Sequence, residues 1–437
     1  ILHYAPNAAV VIENCFDLQV EQLQSIARQF DGKECLLILT SREVAVDASP
    51  VGLTMLEGLD TFRQIPLSRL TESEAQTLRD LTDQIGGWRH LPARSTDKQL
   101  HFIMKDCEAS LPHFLMRLLS SDYVTGRYTE EFNKLSLNET ERQAIIIALL
   151  ITHIGEKAPV SFLSDAMELD FGAIIDGLNQ RPGNEVFRIV RRRAGMVETV
   201  PSIGARNILR SLFSDAEIVN AIVLLLHNIV AYAYRNPFEQ QVFNQLMRFK
   251  TLEKVVTDYN EIDRCFENNK QHYQIRRMPL FWLQWHISKC ASKEYSKAED
   301  LLERGYSEAD KYDRRNPKKY NRSHLNDRRA KFLMLRADKT SREGAELFRD
   351  FKEACELTSK VLRQEDPQRY PFERLEEIVK TYNATKHKLF DAHRNMVDQV
   401  INRCGRYSCQ RLGTLPDGFQ KKKARESLQE AGFEPAE

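Results

Sequence analysis

Two short continuous apolar runs stand out in the first hundred residues, AAVVIE at 8–13 and CLLILT at 35–40. Each is β-branched or leucine-rich and lacks the alternation of a half-exposed strand, the pattern of a parallel strand covered on both faces. Between them, LQVEQLQSIARQF at 18–30 carries apolar residues at helical spacing, and Gly32 lies just past its end. The order strand, helix, strand with a crossover of this length predicts parallel neighbours. Residues 1–65 therefore read as the end of an α/β domain.

Beyond residue 66 the apolar period changes to that of helices. TESEAQTLRDLTDQI at 71–85 opens on a capping box, Thr71 with Glu74, and closes at Gly86-Gly87. Further helices are predicted over 97–107 and over 111–120, with Pro112 tolerated in the first turn of the latter. Together they make a helical domain over 66–135. In 136–212, Asn138 caps a long apolar helix, Pro159 starts a second and DFGAIIDGLNQ forms a third. Two β-like runs follow, 186–190 and 196–200, joined by a basic turn ending at Gly195. Three helices and a β-ribbon are the pattern of a winged helix. Residues 213–437 read as helix after helix. Trp282, Tyr295, Ala298, Leu302 and Gly305 fit one tetratricopeptide unit, so this part is expected to be an irregular, TPR-like α-solenoid. Its last residues, KKKARESLQEAGFEPAE, read as a frayed polar tail. The fold class expected is mainly α, with an α/β lobe at the start.

Charge narrows the picture. The chain has 63 Lys and Arg against 62 Asp and Glu, a net charge of +1. That excludes a uniformly basic nucleic-acid coat and an acidic disordered tail. No run approaches the roughly 18 apolar residues of a membrane span. The most apolar stretches, 144–154 and 221–234, are expected to be buried helices. The chain opens on Ile1 without the features of a signal peptide, and a strand follows within a few residues, so sequence is expected upstream. The eight cysteines do not follow a disulfide framework, and reduced thiols in the cytoplasm are expected. Cys404 and Cys409 are close in sequence but lack the further ligands of a zinc site. The balance is uneven locally: 311–345 holds twelve Lys and Arg against four Asp and Glu.

The chemistry-bearing residues lie at the strand ends. The first strand runs into Glu13 and Asn14, the second into Thr40, Ser41 and Arg42. Side chains at the carboxyl ends of parallel strands face the crevice in which ligands bind. A carboxylate there can hold Mg²⁺, and a polar or cationic neighbour can reach a γ-phosphate.

VVIEN, an intervening helix and LLILTSRE resemble the Walker B and sensor-1 elements of STAND NTPases, the signal-transducing ATPases of the AP-ATPase, NACHT and bacterial defence types. FRQIPLSRLTESEAQTLRDL is similar to the segment entering that family's helical lid. CEASLPHFLMRLL is similar to its Gly-x-Pro motif, with Ser110-Leu111-Pro112 in place. The resemblance implies ATP and Mg²⁺ as cofactors, with Glu13 as metal ligand and catalytic carboxylate. Asn14, Thr40, Ser41, Arg42, Ser110 and Pro112 would then line the nucleotide. It also implies a switch that forms homo-oligomers when the C-terminal helices meet an activating ligand. In the antiviral members this is a foreign (phage) protein, and the effector controlled lies upstream: an NADase, a nuclease or a protease.

Three departures are plain. Glu13 stands where the family usually has Asp, and Ser110 where it has Gly. Pro201 occupies the place of a phosphate-sensing His, with Ser202 and Arg206 the nearest polar residues. No Gly-x4-Gly-Lys-Ser/Thr loop occurs in the chain, and in this family that loop precedes the opening strand.

Other candidates carry less. His90, His101, His113 and His153 have no nucleophile or carboxylate at a meaningful spacing and read as structural. Trp282 and Trp285 read as core. Arg191, Arg192 and Arg193, at the expected ribbon tip, could meet DNA phosphates or a neighbouring acidic surface. Within the basic segment Arg314, Arg315, Lys318 and Lys319 form the expected sensor surface. It would suit an acidic protein partner, with nucleic acid the competing possibility and no membrane involved. Alternative functions are a DNA-binding STAND-type regulator and a non-catalytic helical scaffold.

Overall fold

The computed structural model describes residues 9–12, 25–26, 36–40, 69–93, 95–119, 121, 126, 129–130, 132–181, 190–193, 195–199, 202–231, 236–339, 342–363, 370–415 and 419–434. Among these residues the protein is mainly helical. The chain divides into two units, residues 1–65 with 321–437, and residues 66–320.

In the first unit β1 (Ala9–Ile12) pairs in parallel with β2 (Leu36–Leu39), Ala9 facing Leu36 and Ile12 facing Leu39. The pairing agrees with the expected strand order. The expected cover does not hold, because the cross-strand partners Val11 and Ile38 are 57% and 40% exposed. Most of the intervening helix predicted over 18–30 lies outside the described residues.

The second unit begins with α1 (Glu72–Gln84). Its capping box forms as read: the Thr71 amide donates to Glu74 Oε2 at 2.7 Å and the Glu74 amide to Thr71 Oγ1 at 3.3 Å. Helix α2 (Thr96–His101) widens into a π turn, Phe102–Asp106, and α3 (Leu111–Leu119) follows. Trp88, Phe102 and Phe114 pack ring against ring inside this small helical group.

Helix α4 (Glu139–His153) carries a second capping box, Asn138 with Glu141. Every residue from Ala144 to Ile151 is buried, which makes α4 a central helix surrounded on all sides. Around it lie α5 (Val160–Met167), α6 (Phe171–Asn179) and an antiparallel ribbon, β3 (Val190–Arg193) with β4 (Met196–Thr199). The segment before α5 joins the ribbon as a third edge. The Val197 amide donates to Ala158 O at 2.9 Å, and the Val160 amide to Gly195 O at 2.9 Å. The described first strand starts at Val190, so Arg191, Arg192 and Arg193 belong to the strand and not to the turn. Arg191 is the register partner of Glu198 in the ladder.

Helices α7 (Ser202–Leu212), α8 (Asp215–Ile229), α9 (Pro237–Leu246), α10 (Phe249–Val255) and α11 (Tyr259–Lys270) continue this unit. The Arg142 guanidinium ties α4 to α8 through Glu217 at 2.7 Å while lying over Phe132 and Phe213. After a tight turn, Ile275–Arg277, α12 (Pro279–Ala291) and α13 (Tyr295–Arg315) form a helical hairpin. Ala298, Leu302 and Gly305 are buried along α13, and Trp282 and Trp285 stack at 5.8 Å in the core.

The remaining helices of the first unit are α14 (Ser323–Lys339), α15 (Gly344–Leu362), α16 (Tyr370–Thr385), α17 (Asp391–Leu412) and α18 (Phe419–Glu430). The expected frayed tail is instead α18 and its docked end. Ala424, Leu428 and Ala431 are buried at helical spacing, and α18 packs against α16 and α17. Their apolar stripe is narrow, so composition alone reads as polar while the stripe suffices to dock the helix.

Candidate functional site

The two strands position the first half of the expected nucleotide site. They leave the sheet in the same direction, and the ladder extends by one bond, the Thr40 amide donating to Ile12 O at 2.9 Å. Thr40 is exposed just past β2. Glu13, Asn14, Ser41 and Arg42 lie outside the described residues.

Ser110 and Pro112, also expected to line the nucleotide, belong to the second unit, at the start of α3. Ser110 caps this helix: its Oγ accepts from the His113 amide at 3.4 Å, and its carbonyl accepts from the Phe114 amide at 2.9 Å. Pro112 sits in the first turn. The left-handed backbone of this segment falls on Glu108 and Ala109, each with φ 55°. The position where the family has Gly therefore does not need glycine's freedom here, and serine serves as a cap. The carbonyl of Ala109 accepts from the Leu70 amide at 2.6 Å, tying the strained turn to the entrance of α1.

Of the polar residues near the missing His, Ser202 begins α7, and Pro201 lies outside the described residues. Arg206 is half-buried, and its Nε donates to Lys254 O at 2.9 Å. His153, at the end of α4, shares this environment. Burial, then the positive charges of Lys254 and Arg206, push its imidazole down to about 4. Burial, reinforced by Arg210, also lowers Arg206. The result is a cation-rich cluster around a neutral imidazole. The other histidines read as structural differ: His101 and His113 are exposed.

The basic segment is mixed. Several of its cations are consumed internally: Arg336 and Arg342 both meet the buried Asp350, at 2.8 and 3.3 Å, Arg329 meets Glu353, and Lys311 meets Glu308 at 2.6 Å. Arg314, Arg315, Lys318 and Lys319 are all exposed, at the end of α13 and the loop after it.

Sequence reasoning did not single out a pair of histidines, His227 in α8 and His272. Their ring centroids lie 5.0 Å apart, and His227 Nε2 and His272 Nδ1 are buried without hydrogen-bond partners among the described residues. Burial lowers both. Residues this far apart in sequence left no local signal.

No family model, curated protein or solved structure matches this chain. Among the described residues, no helix is long and apolar enough to cross a membrane.

Proposed function

We propose that the chain is the ATP-responsive switch and ligand-sensing portion of a STAND-type NTPase that controls an upstream effector, in the manner of the antiphage members. The parallel β1–β2 pair carries the reading. Its strands run side by side and hand on to Glu13-Asn14 and Thr40-Ser41-Arg42, the order required of a metal-binding carboxylate beside a phosphate contact. The exposed Val11 and Ile38 fit a sheet layer that is completed by further structure, since parallel sheets are normally covered. Three helices with a three-edged ribbon support a winged-helix assignment for 136–212. The small buried residues of the α12–α13 hairpin support a TPR-like sensor. In this scheme Glu13 holds Mg²⁺ and Arg42 contacts the γ-phosphate. Ser110 and Pro112 contact the nucleotide, and an acidic trigger meets the exposed cations after α13.

The test is equilibrium binding of ATP and ADP to the protein that carries this chain together with its phosphate loop. Arg42→Ala is expected to lower ATP affinity roughly 10- to 150-fold, the loss of a charge-assisted bond of about 1.5–3 kcal/mol, while ADP affinity stays. Equal ATP and ADP affinities in the parent protein would remove the assignment.

A further inference from the structure

The turn Ile275–Arg277 and the last turns of α13 enclose an open cleft of about 230 Å³. Arg277 and Met278 line one wall, Tyr312, Arg315 and Asn316 the other. The only carboxylate among its lining residues is Glu308, which Lys311 engages at 2.6 Å. The exposed Arg276 flanks the first wall, and the exposed Arg314, Lys318 and Lys319 flank the second. The second wall is held in shape. The Tyr320 amide donates to Asp313 Oδ1 at 2.6 Å, and Lys319 Nζ donates to Asp313 O at 3.1 Å, folding the basic loop back on α13.

Cations at the end of a helix can be explained by its dipole. That accounts for Arg314 and Arg315 but not for the arginines of the facing turn, nor for the exposed tyrosines beside each wall. Tyr273 is 56% exposed, with the Arg277 and Arg276 guanidinium groups at 4.8 and 5.4 Å from its ring. Its hydroxyl accepts from Arg277 Nη1 at 2.5 Å. Tyr312 is 38% exposed and braced edge-on by Tyr320 at 5.8 Å.

We propose that this cleft binds single-stranded nucleic acid. Phosphates lie on Arg277, Arg315 and the Lys318–Lys319 loop, and unstacked bases lie on Tyr273 and Tyr312. Flat rings beside tracked cations are how single strands are held without sequence readout, because every base offers a face to stack. A duplex hides those faces, and an acidic protein segment would use the cations but not the rings. The proposal deepens the sensor reading by naming the ligand's chemistry, and rests on that reading only for what binding triggers.

Fluorescence anisotropy of labelled oligothymidylate and oligouridylate with the 437-residue chain tests it. Binding is expected to weaken steeply with salt, with a logarithmic slope of about −0.7 for each phosphate neutralised. Tyr273→Ala and Tyr312→Ala are each expected to weaken it roughly 5- to 150-fold, whereas the Tyr→Phe variants retain it. Reversing Arg314, Arg315, Lys318 and Lys319 to Glu is expected to abolish it. All these side chains are exposed, so unchanged thermal unfolding verifies that the variants are folded. Absence of binding at low salt overturns the proposal. So does competition by duplex as effective as by single strand, or a polyglutamate peptide that binds as tightly and ignores Tyr→Ala. The oligonucleotide result does not depend on the ATP and ADP result with Arg42→Ala, so the two readings fail separately.

Discussion

His153 should keep its imidazole neutral far into acid. It ends α4, half-buried, with Arg206 and Lys254 nearby, and is held at about 4, first by burial and then by those two charges. Above pH 6.5 the ring is neutral in both the folded and the unfolded chain and contributes nothing. Between 6.5 and about 4 the unfolded chain takes up a proton that the folded chain refuses, so stability falls as pH falls. Below about 4 both are charged and the loss is complete. At 1.36 kcal/mol for each tenfold change in proton affinity, it amounts to about 3 kcal/mol. A histidine titration by heteronuclear NMR measures this directly, the His153 signal being the one absent from His153→Gln. Arg206→Gln should raise the midpoint by removing one neighbouring charge, and added salt should raise it slightly. A midpoint near 6.5 in the folded wild-type chain would refute the reasoning, since neither burial nor the cations would then be acting on the ring.

Lys289→Met should cost about 2–3 kcal/mol in urea unfolding, because it removes the buried ammonium that meets Asp263 and Glu294 at 2.9 and 2.7 Å, leaving them with Trp285 and Lys297 as partners. The figure sits below that for a fully buried pair because the two carboxylates are 30% and 36% exposed. The same change should raise the Glu294 carboxyl from about 2, where hydrogen bonds from Lys289 and then Lys297 hold it. Its wild-type contribution is present above pH 4.5 and fades as pH falls toward about 2, which a pH series of unfolding midpoints reads out. Ser110→Ala should destabilise the start of α3 by about 0.5–1 kcal/mol, and Ser110→Gly by only a few tenths, measured by thermal unfolding. Gly405→Ala should displace Phe433, whose ring would lie 2.1 Å from the new methyl group, at a cost of about 1–3 kcal/mol. Limited proteolysis should then cut between α17 and α18 faster than in the wild type, and an unchanged cleavage rate would count against the docked C-terminal helix.

Local sequence determined where many elements start and how they are capped. Thr71 with Glu74 and Asn138 with Glu141 are three residues apart, so their hydrogen bonds need no tertiary context. The unbroken apolar run 144–151 likewise predicts a helix buried on all sides, and the parallel order of β1 and β2 follows from the length of the segment between them. Tertiary structure decided what pattern leaves open. A run of arginines after Val190 suits a turn or a strand equally, and the ladder opposite Met196–Thr199 drew it into the strand. The last helix has too narrow an apolar stripe to predict, and exists because α16 and α17 offer a surface for Ala424 and Leu428. The sites depend on tertiary structure most. His153 meets charges on α7 and α10, and Arg277 and Met278 share a cleft with Tyr312 and Arg315 from a different element. Helix and strand formation answers to neighbours a few residues away, whereas burial and Coulomb interaction act across space, and no spacing along the chain encodes them.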